Sequence, residues 1–254
     1  MPERLLAPES VTASLAEFTI DEETLVAESF GEGSRAFVLL HGIGMGRSVY
    51  VDLVAHLPGR VIGIDLPGFG EAPEPPRPLS MSAHADLVAA YLRSRKERPV
   101  VLIGHSMGSQ IAAQLAADHP SLVAGLVLAG PTVDNDARSV ARQALALGTD
   151  LIGERPTVLW RGAREYLRGG PHLVGKIQAT IDHSVEDAYR RVRSPTLILR
   201  GERDPLAPAR WCERIREQIP WSRIEVIPGH GHGTLISDAA PAARLIAGFS
   251  ATLR

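Results

Sequence analysis

The sequence predicts an α/β fold, in which helices cover both faces of a mostly parallel sheet and one helical segment is inserted. Three observations predict it. Short apolar runs of strand length alternate with longer helical patterns. The runs end in turns rich in glycine, proline or aspartate, and the rhythm lapses between residues 131 and 194 before it resumes. Runs that are apolar throughout belong to strands buried on both faces, which is the habit of parallel sheets.

In chain order, Glu17 to Ile20 and Thr24 to Ser29 alternate, which predicts an antiparallel hairpin at the sheet edge. Ala36 to Leu40 is the first buried run and ends at His41-Gly42. Arg60 to Ile64 is the next and ends at Asp65-Leu66-Pro67-Gly68. Glu71 to Pro78 holds four prolines, which remove backbone donors and bar a helix. Ser82 to Arg93 places Ala85, Val88, Ala89 and Leu92 on one helical face. Val100 to Ile103 runs into Gly104, and Ser106 to Asp118 is a helix small enough to pack closely on a sheet. Leu126 to Ala129 ends at Gly130-Pro131. No strand pattern follows until Thr196, and the intervening stretch reads as helices such as Ala137 to Leu147 and Val158 to Arg168. Thr196 to Leu199, a helix from Pro208 to Gln218, Ile224 to Ile227 and a helix from Ala239 to Leu253 complete the chain. Residues 1–130 and 195–254 are therefore expected to form the core, and 131–194 a helical insertion.

A chain of 254 residues can bury one large core without staples. Hydrophobic residues make up 44% and charged residues 22%, which is ordinary for a globular domain. A net charge of -2 supplies no field for nucleic acid or an anionic membrane, so the expected partner is a small-molecule substrate. The oligomeric state stays open, a homodimer being one option. Cys212 is the single cysteine, which excludes an internal disulfide and permits a reducing compartment. No catalytic pattern surrounds it, so it reads as a buried, inert thiol. Neither a basic leader nor an apolar run near the roughly 18 residues of a membrane span is present, and a cytoplasmic protein is expected.

The chemistry centres on Gly104-His105-Ser106-Met107-Gly108, a Gly-x-Ser-x-Gly pattern directly after a strand and before a helix. There the serine sits on a sharp turn, where side chains at 104 and 108 would collide with neighbouring backbone. The helix that follows aims its N–H groups and positive dipole end at the reaction centre. A serine hydroxyl needs a base to take its proton and an acid to orient that base. On such an elbow the acid and then the histidine are expected further along the chain, each in a loop after a strand. Asp204 follows the strand Thr196 to Leu199, and His232 follows Ile224 to Ile227. For the base, His230 competes with His232. A His-x-His pair without a third ligand is a weak metal signal, and no cofactor is implied.

With those residues in place, the chain resembles the α/β-hydrolase superfamily, in particular its compact members with a helical cap. The resemblance rests on His41-Gly42, Asp65-Leu66-Pro67-Gly68-Phe69-Gly70, the elbow, Gly201-Glu202-Arg203-Asp204 and Gly231-His232, in the family's order. It implies an α/β-hydrolase fold whose cap is the insertion at 131–194. It also implies that the backbone N–H groups of Ile43 and Met107 form an oxyanion hole, each such donor worth about 3–4 kcal/mol in the transition state. His232 is favoured as base because the family usually has a small residue, glycine and then histidine. For the acid, Asp134 is the main alternative to Asp204, with Asp136 beside it, because some members carry the acid after the preceding core strand. His41 and Asp65 are expected to brace turns, His105 to be a packed, hydrogen-bonded side chain, and Glu202 to make a surface or loop contact.

Relatives that dehalogenate haloalkanes or open epoxides use an aspartate where Ser106 stands, so the serine argues against both. Hydrolysis of an ester, lactone, thioester or amide remains, as does cleavage of a carbon–carbon bond beside a ketone in aromatic ring-cleavage products. Ester or lactone hydrolysis leads on frequency alone, and a receptor-like ligand-binding role is a further alternative. Leu159, Trp160, Tyr166 and Leu167 are the candidate pocket residues of the cap, favouring an apolar, cyclic or aromatic substrate. Arg161, Arg164 and Arg168 are read as solvated.

Overall fold

The computed structural model describes residues 14–132 and 172–253. The first hairpin joins β1 (Ser14–Ile20) and β2 (Glu23–Phe30), and β3 (Ala36–Leu40) and β4 (Arg60–Asp65) flank the short helix α1 (Val51–His56). Next come α2 (Met81–Ser94), β5 (Val100–His105), α3 (Met107–Asp118) and β6 (Val123–Ala129). After the undescribed stretch lie α4 (Leu173–Asp182), α5 (Val185–Tyr189), β7 (Thr196–Gly201), α6 (Ala209–Gln218), β8 (Ser222–Ile227) and α7 (Ala240–Ala251). The predicted helices at 137–147 and 158–168 fall outside the described residues. So do Asp134, Asp136, Leu159, Trp160, Arg161, Arg164, Tyr166, Leu167 and Arg168.

The strands form one sheet in the order β1-β2-β4-β3-β5-β6-β7-β8. β1 and β2 pair antiparallel at one edge, and β2 is antiparallel to β4. From β4 to β8 all pairings are parallel. Side chains alternate between two cores, as the two-residue period of a strand requires. Val38, Leu40, Leu102 and Leu128 pack with Val88 of α2, Ile111 of α3, Ala188 of α5 and Trp211 of α6. Phe37, Leu39, Ile103 and Val127 pack on the other face with Leu53 of α1 and with Ile246 and Phe249 of α7. Helices therefore cover both faces.

β5 and β7 are among the strands that run further than their apolar runs. β5 continues to His105, which pairs with Ala129, and β7 continues to Gly201, which pairs with Ile227. The polar side chains of these extensions, His105 and Arg200, find internal partners. Arg200, buried, donates from Nε to the Ala207 carbonyl at 2.9 Å. Their effect is to carry the strand ends up to the loops where the candidate residues lie.

One buried charge cluster ties the first half of the sheet together. Arg47, in the short 3-10 helix Arg47–Tyr50 that follows β3, donates from Nε to Glu28 of β2 at 2.9 Å and from a terminal nitrogen to Glu71 at 2.6 Å. It also pairs with Asp65 at the end of β4, whose carboxylate accepts the Glu71 N–H at 2.9 Å. Burial lowers the Arg47 pKa, but Asp65, Glu71 and Glu28 more than offset this and hold it above the ordinary arginine value. Asp65 thus braces its turn, as expected, while the arginine that anchors it was not anticipated. Among the described residues, no helix is long and apolar enough to cross a membrane.

Replacing Arg47 with methionine should cost about 3–5 kcal/mol, because Glu28 and Asp65 would be left buried without a countercharge. Urea unfolding at neutral pH checks this. A loss below about 1 kcal/mol, the size of an exposed pair, would show that the cluster carries little.

Candidate active site

The ends of β3, β5, β6, β7 and β8 carry the candidate residues. β5 leads into Ser106, which has φ +55° and ψ -120° and is the residue immediately before α3. A non-glycine residue at positive φ is strained, a condition that concentrates at functional sites. The two flanking glycines explain how the turn closes. A Cβ on Gly104 would lie 2.2 Å from the Gly108 carbonyl oxygen, and one on Gly108 would lie 2.2 Å from the Leu40 carbonyl oxygen. The first turn of α3 is therefore pressed onto the end of β3, as the motif predicted.

That crossing sets Ser106 beside the chain that leaves β3. A Cβ on Gly42 would lie 3.1 Å from the Ser106 Cβ. Ile43 follows Gly42 and Met107 follows Ser106, so two backbone segments that carry the predicted oxyanion donors lie against each other. Met107 is buried and Ile43 half-buried.

Asp204 and His232 are brought together. The buried carboxylate Oδ2 of Asp204 lies 2.9 Å from His232 Nδ1, and Oδ1 accepts the Leu206 N–H at 2.9 Å and the Ala207 N–H at 3.1 Å. Burial pushes the Asp204 carboxyl up, but the charge and hydrogen bond of His232, with those two N–H groups, bring it below the ordinary carboxylate value. Asp204 is therefore ionised and acts only as an acceptor. The loops carrying the pair are themselves tied: Arg203 N–H donates to the His230 carbonyl at 2.9 Å, and Gly229 N–H donates to Glu202 Oε2 at 2.8 Å.

The remaining histidines separate cleanly. His230 is half-buried and its ring braces its own loop, with Nδ1 3.0 Å from the Pro228 carbonyl and Nε2 3.3 Å from that of Asp238. His41 is buried, accepting the Leu66 N–H at Nε2 (3.1 Å) and donating from Nδ1 to the Gly42 carbonyl (2.8 Å). His105 is buried, and its Nε2 lies 2.9 Å from the His232 carbonyl. Burial lowers the pKa of the buried rings of His41, His84 (in α2) and His105, the last two to about 3. Cys212 is buried in α6, as expected of an inert thiol.

Two contributors were missed by sequence reasoning. Gly130, at φ +50° after β6, leaves room that a side chain would take: a Cβ there would lie 2.9 Å from the His232 ring and 3.1 Å from Asp204 Oδ2. A glycine directly after a buried run was the only sequence signal. Lys176 of α4 is buried, donating from Nζ to the Gly68 carbonyl and to Glu74 at 2.7 Å each. It also lies 4.5 Å above the Phe69 ring, which meets His41 edge-on at 5.2 Å. α4 is thereby clamped to the proline-rich loop; in the sequence Lys176 is merely a lysine in a helix.

A family model described as "Alpha/beta hydrolase family" matches residues 37–247. A pimeloyl-[acyl-carrier protein] methyl ester esterase of Neisseria meningitidis is 27% identical, over 87% of this chain and 95% of that protein. A 2-(acetamidomethylene)succinate hydrolase of Mesorhizobium japonicum is 24% identical, over 82% of this chain and 85% of that protein. A thermophilic esterase from Thermogutta terrifontis, solved with malate bound, superposes with a TM-score of 0.80 at 24% identity. It covers 94% of this chain and 98% of that one, and at this identity shows a shared fold.

The buried rings give a pH dependence whose sign follows from linkage. His84 and His105 are neutral in the fold down to about pH 3, but protonate near 6.5 once unfolded. The unfolded chain therefore binds more protons below pH about 6.5, and their contribution is full above that value and falls as pH drops toward 3. At about 1.4 kcal/mol per pH unit for each ring, the two lower stability by about 4 kcal/mol at pH 5. Urea unfolding at pH 7.5 and 5 measures it, and His84→Leu should remove about half of this loss. A stability that does not change between those pH values would refute buried, neutral rings.

Proposed function

Because the chain belongs to the alpha/beta hydrolase family, we propose that this hydrolase is a serine esterase or lactonase that works through an acyl-enzyme. Ser106 is the nucleophile, His232 the general base and acid, and Asp204 the carboxylate that orients the base. What carries this reading is the 2.9 Å hydrogen bond from His232 Nδ1 to buried Asp204, set in loops beside the strained Ser106 elbow.

The chemistry follows from those roles. His232 Nε2 takes the Ser106 proton as Oγ bonds to the substrate carbonyl carbon, and the carbonyl π pair moves onto oxygen. The N–H groups of Ile43 and Met107 stabilise that oxyanion, helped by the positive end of α3. The imidazolium is held by Asp204 and gives its proton to the departing alkoxide as the carbon–oxygen bond breaks. Water, deprotonated by His232, then attacks the acyl-enzyme, releasing the acid and restoring the serine hydroxyl.

Esterase chemistry is supported by the name of the Neisseria meningitidis relative and by the serine at position 106. We assign residues 131–194 to a cap that roofs the pocket. The preference for an apolar, cyclic or aromatic substrate rests on Leu159, Trp160, Tyr166 and Leu167 in that segment. Asp204 is preferred to Asp134 as the acid because it already holds His232.

Ser106→Ala should keep its fold and lose several orders of magnitude in kcat on aryl esters, and Asp204→Asn should lose about 10⁴-fold. Steady-state assays of esters, lactones and ring-cleavage diketones, run beside Ser106→Ala, check both reaction and substrate class. Near-wild-type turnover in Ser106→Ala would overturn the nucleophile, and preferred cleavage of the diketones would overturn the ester reading. Gly130→Ala places a methyl against the His232 ring and should cost about 1–2 kcal/mol of stability. We expect it to reduce kcat by about tenfold or more, and the same assay with a thermal melt checks it.

A further inference from the structure

The proposed mechanism gives no role to the imidazole that precedes the nucleophile in the chain and packs against the base. His105 closes β5, directly before Ser106, and is fully buried. Its Nε2 is 2.9 Å from the main-chain oxygen of His232, a residue 127 positions away. A carbonyl can only accept, so Nε2 carries the hydrogen, and Nδ1 is left without a hydrogen-bond partner among the described residues. The two rings also touch, their centroids 4.9 Å apart.

The loop that carries His232 needs such a hold. Gly229, Gly231 and Gly233 flank the histidines, and glycine gives the backbone wide freedom. Asp204 fixes the imidazole at Nδ1, and the His230 ring braces the beginning of the loop and its exit near Asp238. The carbonyl of residue 232 itself is gripped by the side chain next to Ser106. From this we infer that His105 is a positioning residue: its Nε2–H, bonded to the His232 carbonyl, registers the base against the nucleophile. The inference rests on His232 being the base.

The residue type fits the task. The titratable groups facing His105 are His232, Asp204 and His41, and burial first, then His232, keeps its pKa at about 3. It is thus a donor without charge. A lysine or arginine could grip the same carbonyl, but would set a fixed cation beside an imidazole that must itself become cationic.

Two variants and one measurement on the wild type test the idea. His105→Phe keeps a ring and removes the donor, whereas His105→Gln brings a carboxamide N–H to about the position of Nε2. His105→Phe should lower kcat about ten- to hundredfold with KM within about threefold, the pattern of a misplaced catalytic group. Its low-pH activity limb should move to lower pH, because a loosened His232 is held less well by Asp204 when protonated. His105→Gln should recover most of kcat and the wild-type profile. His232→Ala, assayed alongside, tests the underlying reading separately: turnover in that variant sinks the base itself. If His232→Ala is inactive while His105→Phe keeps wild-type kcat and pH profile, the base stands and the positioning role falls. In the wild-type protein, ¹⁵N imidazole NMR should show His105 as the neutral Nε2–H tautomer between about pH 5 and 8. A His105 that titrates in that range overturns the proposal whether or not the phenylalanine variant folds.

Discussion

The contact on which this structure most depends is one where no side chain fits. The first turn of α3 lies so close to β5 and β3 that a Cβ at Gly104 or Gly108 would fall 2.2 Å from a backbone oxygen. Packing this close drives Ser106 into positive φ and lifts it out of the sheet. The strain, about 1–3 kcal/mol for such a residue, is stabilised by the buried cores on either side, Leu40 and Leu102 on one and Leu39 and Ile103 on the other. Move α3 outward by the width of a methyl group and Ser106 no longer meets Gly42. The oxyanion site proposed from Ile43 and Met107 would open with it.

Around that contact, long-range bonds fix what the strands only bring near. Arg47 joins β2 and β4 through Glu28 and Asp65, and so sets the loop that leaves β3. Lys176 joins α4 to Gly68 and Glu74, and its ammonium rests on Phe69, which in turn rests on His41. His41 bonds Gly42 and Leu66 at once. A continuous chain of contacts thus runs from the helix at 173–182 to the glycine beside the nucleophile. Any rearrangement of α4 would be felt there through packed groups rather than through a hinge.

The sheet and the elbow were legible because each is written locally. A strand buried on both faces must be apolar at every position, so 36–40, 100–103 and 196–199 announced themselves. Gly-x-Ser-x-Gly is likewise five adjacent residues, and the expected collisions at 104 and 108 are present. Asp204 and His232 were legible by order along the chain, and they meet. Less legible were residues whose role is a partner far away in sequence. Arg47 is 18 residues from Asp65, Lys176 is 102 from Glu74, and His105 is 127 from His232. Nothing near any of them in the chain marks the partner. Gly130 was read as a strand end, and only the His232 ring packed against it shows why a side chain is excluded there. The pocket residues proposed at 159–167 lie outside the described residues.

What these long-range groups share is restraint in charge. The proposed reaction places a negative oxygen near Met107 and Ile43, and a positive imidazole at His232, for only part of each cycle. A fixed ion close by would favour one of those states before the substrate arrives. His41 and His105 avoid this by serving as donors or acceptors while burial holds them neutral. Lys176 and Arg47 avoid it differently, by lying within bonding distance of Glu74 and of Glu28, Asp65 and Glu71. In the proposed reaction, the field at Ser106 is then left to the Asp204–His232 pair and the N-terminus of α3. In such a site, geometry matters more than net charge. A side chain that holds a backbone carbonyl in place, as proposed for His105, can then tune the rate without touching the substrate.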